Sequence, residues 1–311
     1  MKVLITGGAG FIGSHLVERL TEEGYEVVAL DNLHSGSSRL PILKAAGVEL
    51  IEADIRDPLA AEAMKNISPD VVFNLAAQID VRVSVEDPAF DADVNVVGFL
   101  RLLESAASVG ARFIHTASGG AMFGELTDGV EAITEQDSSR PISPYGISKR
   151  IAEDYLNFYA RERGVDFVNL APGNVYGPRQ DPHGEAGVVA IFAGRLIADQ
   201  PCNIYGDGKQ SRDYVYVEDL VDAFVKALTE GTNETINIAT GIETSVMELY
   251  SLIAEATGSK LQPDHLPERP GDAMRVKLDI TKARQVLSWE PKIGLEEGIR
   301  RTVESVRLSA A

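Results

Sequence analysis

Two side chains of this sequence, Tyr145 and Lys149, have the types and the spacing for taking a proton from a hydroxyl group. Ser143 can cap a helix and Pro144 suits its first turn, which places Tyr145 and Lys149 one turn apart on one face. A tyrosine hydroxyl, with a pKa of about 10, is a poor base at neutral pH. A nearby ammonium lowers that pKa, so Tyr145 could take a proton from a substrate hydroxyl while hydride leaves the same carbon.

The spacing alone does not establish this chemistry, because an ordinary amphipathic helix with a surface lysine shows it too. The same spacing recurs at Tyr205 and Lys209. Gly206 and Gly208 lie between those two residues and weaken any helix there, so their side chains need not align. We therefore assign proton transfer to the first pair only.

A glycine-rich turn near the start of the chain is suited to hold a phosphate group. Residues 3–15 read VLITGGAGFIGSH, an apolar run of strand length, four glycines and the beginning of a helical pattern. A helix N-terminus presents unpaired N–H groups to an anion, and glycine lets a pyrophosphate approach the backbone closely. We expect Gly7 to make the turn, Gly10 to leave space under the phosphates, and Gly13 to let the helix pack on the strand. The alternative is a turn that serves only the fold.

An acidic residue ends the next apolar run. Asp31 lies roughly twenty residues beyond the glycine turn, where its carboxylate would accept hydrogen bonds from both ribose hydroxyls of an adenosine. The alternative is a turn residue before Asn32. The combined pattern predicts bound NAD, not NADP, because Asp31 would repel a 2′-phosphate and positions 32–35 contain no arginine. The positive nicotinamide ring of oxidised NAD would add to the effect of Lys149 on the hydroxyl of Tyr145.

Strand-like apolar runs alternate with amphipathic helical stretches as far as about residue 171. We expect strands at 2–6, 26–31, 48–53, 70–75, 112–117 and 166–171, and helices near 11–23, 57–66, 89–109 and 144–163. This alternation predicts an α/β fold, a Rossmann-type doubly wound parallel sheet covered on both faces. Ligands of such a sheet bind outside the carboxyl ends of the strands, so functional residues are expected just after each strand.

The second half of the chain is less regular. A polar loop over 177–184 is of the kind that lies over a site, and a helix is expected near 187–199. The chain should then return to the first domain for a strand and helix within 213–230 and a strand at 234–238. The predicted division is a NAD-binding Rossmann domain of 1–172 and 213–239 and a smaller, discontinuous substrate lobe of 173–212 and 240–311. The two lobes should form one rigid unit around a cleft.

Composition and charge narrow the classes of function. The 311 residues carry a formal net charge of −18, which would repel nucleic acid and anionic lipid. We find no uncharged apolar run of the ~18 residues that cross a membrane and no apolar signal segment, so a cytoplasmic protein is expected. Cys202 is the single cysteine and the five histidines show no ligand spacing, so neither a disulfide nor a metal is predicted.

Several motifs along the chain occur together in one known family. They are TGGAGFIG at 6–13, DN at 31–32, NLAA at 74–77, Asn95, the pair Tyr145 and Lys149, PGNVYGPR at 172–179, RDY at 212–214, RPGD at 269–272 and WEP at 289–291. With these motifs the chain resembles the extended short-chain dehydrogenase/reductase family, and within it the nucleotide-sugar 4-epimerases of the UDP-glucose type. The resemblance implies NAD retained through the cycle, a keto-sugar intermediate at C4, and a homodimer formed by the helices near 89–109 and 144–163.

The strand ends and the resemblance together identify the expected contacts of the cofactor. They are Gly7, Gly10, Phe11, Ile12, Gly13, Asp31, Asn32, Asp54, Ile55, Leu75, Ala76, Ala77, Gln78, Asn95, Thr116, Tyr145, Lys149 and Pro172. Asp54 could bond the adenine amino group, although capping a helix is an equally good interpretation.

Two arginines are expected to bind the diphosphate of the UDP-sugar. Guanidinium groups pair with phosphate oxygens bidentately, which suits Arg212 and Arg269, although surface ion pairs are the alternative. The other expected contacts of the sugar nucleotide are Ser118, Tyr145, Asn174, Asn203, Tyr205 and Asp272. By resemblance, Asn174 and Asp272 contact phosphate or ribose, and Asn203 and Tyr205 border the base.

The chain departs from the family pattern after the fifth strand. Dehydratase and decarboxylase relatives carry acidic residues there, whereas residues 118–124 read SGGAMFG, so elimination from the keto intermediate would lack its proton donor. The family's usual catalytic serine or threonine falls on Gly119. We expect Ser118, in preference to Thr116, to supply the hydroxyl instead. Gly119 and Gly120 would then leave room for the keto sugar to turn. The alternative is that Ser118 merely ends the strand.

The leading function is an epimerase without net redox that interconverts UDP-glucose and UDP-galactose. One alternative is an epimerase of another UDP-sugar, glucuronate or an N-acetylated form. Another is a nucleotide-sugar reductase with net NAD(P) turnover. A third is a catalytically silent NAD-binding protein, which the pair Tyr145 and Lys149 argues against.

Overall fold

A computed structural model describes residues 1–127, 129–182, 187–268 and 273–310 of the protein. The strands are β1 (Lys2–Thr6), β2 (Glu26–Asp31), β3 (Glu49–Glu52), β4 (Val71–Asn74), β5 (Arg112–Thr116), β6 (Phe167–Pro172), β7 (Asn174–Tyr176), β8 (Asn203–Tyr205), β9 (Ser211–Tyr216), β10 (Glu234–Ile238), β11 (Glu243–Ser245) and β12 (Asp264–Leu266). The helices are α1 (Phe11–Glu22), α2 (Leu40–Ala45), α3 (Pro58–Ile67), α4 (Val81–Glu86), α5 (Pro88–Ala92), α6 (Phe99–Val109), α7 (Gly119–Phe123), α8 (Pro144–Arg163), α9 (Val188–Ile197), α10 (Val217–Ala227), α11 (Val246–Thr257), α12 (Thr281–Val286) and α13 (Leu295–Ala310). A π-helical turn, Asp93–Gly98, joins α5 to α6.

Seven parallel strands form the main sheet, in the order β10-β6-β5-β4-β1-β2-β3. Its strands are nearly continuous apolar runs because helices cover both faces, as Val3, Leu4 and Ile5 of β1 illustrate by being fully buried. The strand order reverses between β1 and β4, which opens a crevice at their carboxyl ends. The predicted doubly wound parallel sheet is confirmed.

Two apolar cores flank this sheet. On one face, α1, α2 and α10 contribute Leu16, Leu43 and Phe224 to a common core. On the other face, α3, α6 and α8 contribute core residues such as Leu102 and Leu156. The catalytic candidates of α8 therefore lie on the second of these helical layers.

The strand predicted near residue 213 is not part of the main sheet. It is β9, which pairs with β7 and β11 in a three-stranded sheet, while the following α10 and β10 do return to the main sheet, as expected. The cause is that β9 faces two cores. Val215 packs in the core of the main sheet, whereas Tyr214 and Tyr216 pack with α9, α11 and α13. The division into two lobes stays a prediction.

The predicted helix near 89–109 is interrupted. Its middle is the π-helical turn, which places one more residue in a turn than an α-helix does and often marks a functional site. Gly98 ends this turn against the preceding loop, since a Cβ there would lie 2.9 Å from Cγ1 of Ile55. Asn95, within this turn, is buried.

Within the described ranges, no helix combines the length and the apolarity needed to cross a membrane. Nor do three or more His, Cys, Asp or Glu side chains of those ranges gather as metal ligands would. Cys202 is buried and unpaired with another cysteine.

Candidate active site

The catalytic helix α8 begins as its sequence predicts. The Ser143 hydroxyl accepts a hydrogen bond from the N–H of Gly146 at 3.1 Å, and Pro144 occupies the first turn. Gly146 lets the helix start approach α7, because a Cβ there would lie 2.3 Å from the carbonyl oxygen of Ala121. Tyr145 and Lys149 lie on the buried face of α8. In contrast, Tyr205 ends a strand, so the second pair of this spacing is not on a helix.

The Tyr145 hydroxyl is hydrogen-bonded to Ser118, the residue directly before α7. Burial raises the pKa of Tyr145 to about 12, while the hydrogen bond from Ser118 opposes that rise. The Lys149 ammonium lies 5.8 Å from the centre of the Tyr145 ring and donates to the carbonyl oxygen of Thr116 at 2.9 Å. The joint effect expected of Lys149 and the positive nicotinamide ring on the pKa of Tyr145 stays a prediction.

Lys149 is itself perturbed by its surroundings. Burial lowers its pKa to about 8, and the charge of Asp91 opposes this fall. The ammonium form thus still predominates at neutral pH. Thr116 supplies the carbonyl that orients it, while the Thr116 hydroxyl is buried without a hydrogen-bond partner in the described part of the chain.

The glycine turn after β1 forms a cradle that side chains would fill. Gly7 has a φ of 72°, and a Cβ on it would lie 2.8 Å from the backbone nitrogen of Ala76. A Cβ on Gly13 would lie 2.0 Å from the carbonyl oxygen of Gly7. Helix α1 then starts after Gly10 with no acidic residue in its first turn and, in the described ranges, no side chain capping it. These features fit a pyrophosphate at this helix N-terminus.

Asp31 lies against the glycine turn. Its carboxylate accepts hydrogen bonds from the N–H groups of Ala9, at 2.9 Å, and Leu33, at 2.8 Å. Asp31 thus stabilises the local turn and also borders the cradle. A role as a turn residue and a role in binding the adenosine ribose are therefore compatible. Its neighbour Asn32 donates to the carboxylate of Asp54 at 3.0 Å.

Asp54 does not cap a helix. The cap of α3 is Asp57, which accepts a hydrogen bond from the N–H of Leu59 at 2.9 Å. Asp54 instead accepts two bonds from the Arg56 guanidinium at 2.9 Å, and this pairing holds the pKa of its carboxyl well below the usual range. Capping is therefore excluded for Asp54, while its contact with adenine stays a prediction.

The loop after β4 closes the other side of the crevice. The N–H groups of Leu75 and Ala76 donate to the backbone oxygen and hydroxyl of Thr6, which fixes the loop beside the glycine turn. Further along the loop, the amide of Asn95 accepts from the N–H of Gln78 at 3.0 Å and donates to its carbonyl at 2.8 Å. Of the other expected cofactor contacts, the structure brings these to the same edge of the sheet: Phe11, Ile12, Ile55, Ala77 and Pro172.

The expected substrate contacts lie on two small sheets. Asn174 is on β7 and Arg212 on the adjacent β9, where its guanidinium donates to the carbonyl oxygen of Ser211 at 2.8 Å. Asn203 and Tyr205 are on β8, which pairs with β12. Arg269 and Asp272 lie outside the described residues.

The sequence pattern of the family described as GDP-mannose 4,6 dehydratase matches residues 4–302. The chain belongs to this family, within the extended short-chain dehydrogenases/reductases. It is 48% identical over 313 residues to the UDP-glucose 4-epimerase of Mycolicibacterium smegmatis, a match that covers 99% of both chains.

Solved structures of this family have the same fold. A UDP-glucose 4-epimerase from Thermotoga maritima, crystallised with UDP-glucose, is 46% identical and covers 100% of both chains with a TM-score of 0.96. A UDP-glucose 4-epimerase from Thermus thermophilus, in complex with NAD, is 42% identical and covers 99% of both chains with a TM-score of 0.92.

The glycines after β5 lie against apolar side chains from the C-terminal part of the chain. A Cβ on Gly119, where the family pattern has a hydroxyl side chain, would lie 2.5 Å from Cδ1 of Leu278. A Cβ on Gly120 would lie 3.2 Å from Cγ1 of Val276. Leu278 and Val276 therefore lie where side chains at these positions would point. That Gly119 and Gly120 leave room for a turning sugar stays a prediction.

The sequence predictions missed a buried arginine near Asp31. Arg39 is 6% exposed, and its charge is close enough to Asp31 for the two to interact. Its guanidinium donates to the carbonyl oxygen of Arg179 at 2.8 and 3.2 Å, while His15 contacts the carbonyl oxygen of Pro178 at 2.9 Å. The loop that follows β7 is thus attached to α1 and to the start of α2. A lone arginine in a polar stretch gives no signal of burial.

Proposed function

We propose that this chain is an NAD-dependent nucleotide-sugar 4-epimerase that interconverts UDP-glucose and UDP-galactose. The observation that carries the proposal is the group of buried Tyr145, buried Lys149 and half-buried Ser118, in which the Tyr145 hydroxyl is hydrogen-bonded to Ser118. This group is formed at the same edge of the sheet as the glycine cradle. The similarity to UDP-glucose 4-epimerases over the whole chain supports the choice of sugar.

Each side chain has a definite role in this reaction. Bound NAD supplies the hydride acceptor and donor for C4 of the sugar. Tyr145 takes the proton from the C4 hydroxyl and returns it, Ser118 orients the same oxygen, and Lys149 holds positive charge beside them. Arg212 neutralises the diphosphate, and Arg269 and Asp272 are proposed to assist it. The C4 keto sugar must turn between the two hydride transfers while the nucleotide stays anchored.

The test is incubation of the purified protein with UDP-glucose and no added cofactor, followed by chromatography of the nucleotide sugars. We expect UDP-galactose to appear until equilibrium, with no steady change in absorbance at the reduced-nicotinamide band. Net formation of reduced or oxidised cofactor would instead identify a reductase. UDP-glucuronate and UDP-N-acetylglucosamine are assayed in parallel. If either is converted faster than UDP-glucose, that sugar nucleotide is the preferred substrate.

Dehydration and decarboxylation are less well supported. Both need an acid near the keto intermediate, and the stretch from Ser118 to Gly124 contains none. The burial of Gly119 against Leu278 also leaves no space for a longer side chain at that position. The absence of a proton donor there favours return of the hydride over elimination.

NAD is expected to bind at least about 10-fold more tightly than NADP, a difference of about 1.4 kcal/mol. The carboxylate of Asp31 borders the adenosine side of the cradle, and a 2′-phosphate would meet its charge. Nε and Nη2 of Arg39 donate to the carbonyl oxygen of Arg179, while its Nη1 has no hydrogen-bond partner in the described part of the chain, so the comparison also tests whether Arg39 offsets the charge of Asp31. Titration calorimetry with both cofactors on the cofactor-free protein measures the ratio. Equal or tighter binding of NADP would contradict the role given to Asp31.

A homodimer through α6 and α8 is also proposed. Helix α8 exposes Tyr155 and Phe158, and the π-helical turn before α6 exposes Val97. These three apolar or aromatic side chains line one shallow groove. A two-fold interface would cover the same groove on both copies. The predicted cytoplasmic location stays a prediction.

The change Phe158→Glu should convert the dimer to a monomer, because it introduces a charge into the groove. Analytical ultracentrifugation of the parent and the variant measures the mass in solution. Ile242→Glu, a similar change at an exposed residue outside α6 and α8, is the control and should leave the dimer intact. A monomeric parent protein would refute the proposal.

A further inference from the structure

A buried carboxylate lies beside the catalytic helix and was not among the predicted site residues. Asp91, on the short helix α5, is fully buried. One of its oxygens accepts hydrogen bonds from the side-chain amides of Gln78, at 2.8 Å, and Asn95, at 3.0 Å. The other accepts from the hydroxyl of Ser148 at 2.7 Å. A buried charge persists only when it is paired or hydrogen-bonded, and these three donors satisfy that condition.

The three donors belong to three separate segments. Gln78 is in the loop after β4, and Asn95 is in the π-helical turn, where its amide also pairs with the backbone of Gln78. Ser148 is on α8. Asp91 therefore joins the loop after β4, the π-helical turn and the catalytic helix through one side chain.

The contact with α8 is made on its catalytic face. Ser148 is three residues after Tyr145, so these two side chains are neighbours on the helix surface, and Lys149, the next residue, is also on the buried side of α8. The charge of Asp91 is also felt by both reactive groups, since it raises the pKa of Tyr145 and of Lys149. A rotation or shift of α8 about this contact would move both groups relative to the crevice.

We propose that Asp91 is a positioning residue, which holds the Tyr145 and Lys149 face of α8 in register with the loop after β4. Because that loop is where the cofactor is proposed to bind, the inference rests on the proposed function. The hydrogen bonds described for Asp91 come from Gln78, Asn95 and Ser148, and none of them comes from Tyr145 or Lys149. The effect of Asp91 is on geometry, and a displacement of about 1 Å in an active site can lower the rate by as much as about 10²-fold.

Three substitutions test which part of this hydrogen-bonded group matters. In Asp91→Asn, the amide oxygen can still accept from Gln78 and Asn95, and the amide nitrogen can donate to the hydroxyl of Ser148. In Asp91→Ala, all three donors lose their acceptor. Ser148→Ala removes only the bond to α8 and keeps the carboxylate.

A matched control is a second buried carboxylate on a distant helix. Asp219 of α10 accepts hydrogen bonds from the N–H groups of Lys292, at 3.1 Å, and Ile293, at 3.0 Å. Helix α10 packs against α1 on the other face of the main sheet. Asp219→Ala should therefore lower the thermal midpoint without changing kcat of the folded protein.

The experiment measures kcat and KM for UDP-glucose, the thermal midpoint, and the dissociation constant of NAD without sugar, each at a temperature where every variant is folded. We expect Asp91→Ala to lower kcat about 10- to 100-fold and to weaken NAD binding about 10-fold, with KM changed less than about 3-fold. Asp91→Asn should stay within about 3-fold of the parent in kcat. Ser148→Ala should lower kcat by about 3- to 10-fold and leave NAD binding unchanged.

Three results would overturn the proposal. One is a kcat of folded Asp91→Ala within about 3-fold of the parent, and another is a loss in Asp91→Asn as large as in Asp91→Ala. The third is an equal fall of kcat in Asp219→Ala. If Asp91→Ala does not fold, Ser148→Ala decides by the same measurements, and an unchanged kcat in that variant refutes the proposal. A parent that binds NAD but does not convert UDP-glucose refutes the proposed function alone, because the NAD affinities of the variants still test Asp91.

Discussion

Replacing Tyr145 with phenylalanine is expected to lower kcat for UDP-glucose by at least about 10²-fold, the effect typical of a lost general base. The change removes only the hydroxyl that is bonded to Ser118, and the ring keeps its place on the buried face of α8. Binding of NAD should be nearly unchanged. Steady-state kinetics and titration calorimetry on the same preparation measure the two quantities.

The control for this change is Tyr250→Phe. Tyr250 is also buried, but its hydroxyl donates to the carbonyl oxygen of Leu261 at 2.6 Å, in the core formed by α9, α11 and α13. Its loss should cost about 1 kcal/mol of stability and leave kcat intact. Lys149→Ala is expected to reduce both turnover and NAD binding. A Tyr145→Phe variant that retains most of its activity would contradict the assignment of the base.

Replacing Ser118 with alanine is expected to lower kcat by roughly 10²–10³-fold, the effect of losing a donor that orients and stabilises a reacting oxygen. The hydrogen bond from Ser118 also opposes the rise in the pKa of Tyr145. Without it that pKa increases, so the rising limb of the kcat profile should move to higher pH. Measuring kcat across the alkaline range in the parent and in the variant tests both effects.

Thr116→Ala is the matched control for Ser118→Ala and should cost distinctly less. The carbonyl oxygen of Thr116 orients Lys149, and alanine retains that carbonyl. If Ser118→Ala stays within a few-fold of the parent, Ser118 merely ends the strand. Tyr145 and Lys149 would then carry the proton transfer alone.

The sequence predicts the main sheet well because its strands are buried on both faces. A continuous apolar run such as the one in β1 is typical of a strand buried on both faces, and the glycines that follow it indicate a tight turn. Strand β9 shows where this signal fails. Val215 and Tyr216 face different cores, and alternation between two apolar sides cannot tell which sheet a strand joins.

The candidate site is predictable where contacts are local and unpredictable where they are not. Ser143, Tyr145 and Lys149 lie within one helix start, so their arrangement follows from helix geometry. Asp91 bonds to Ser148, which is 57 residues away in the sequence, and an acid in the first turn of a helix is usually explained by the helix dipole. The close approach of Leu278 to Gly119 was not predictable for the same reason, since the two residues are distant in sequence.

The main sheet can be completed only after β10 has been synthesised, because β10 pairs with β6 at the end of the sheet. Strand β6 is fully buried in the finished protein, but β10, its outer neighbour, leaves the ribosome only after β7, β8, β9 and α10. Until then the apolar β6 presents an unpaired edge, which is a template for association with other chains. A nascent or truncated chain that ends before Glu234 keeps that edge open, so residues 1–172 alone are a poor choice for a soluble NAD-binding fragment.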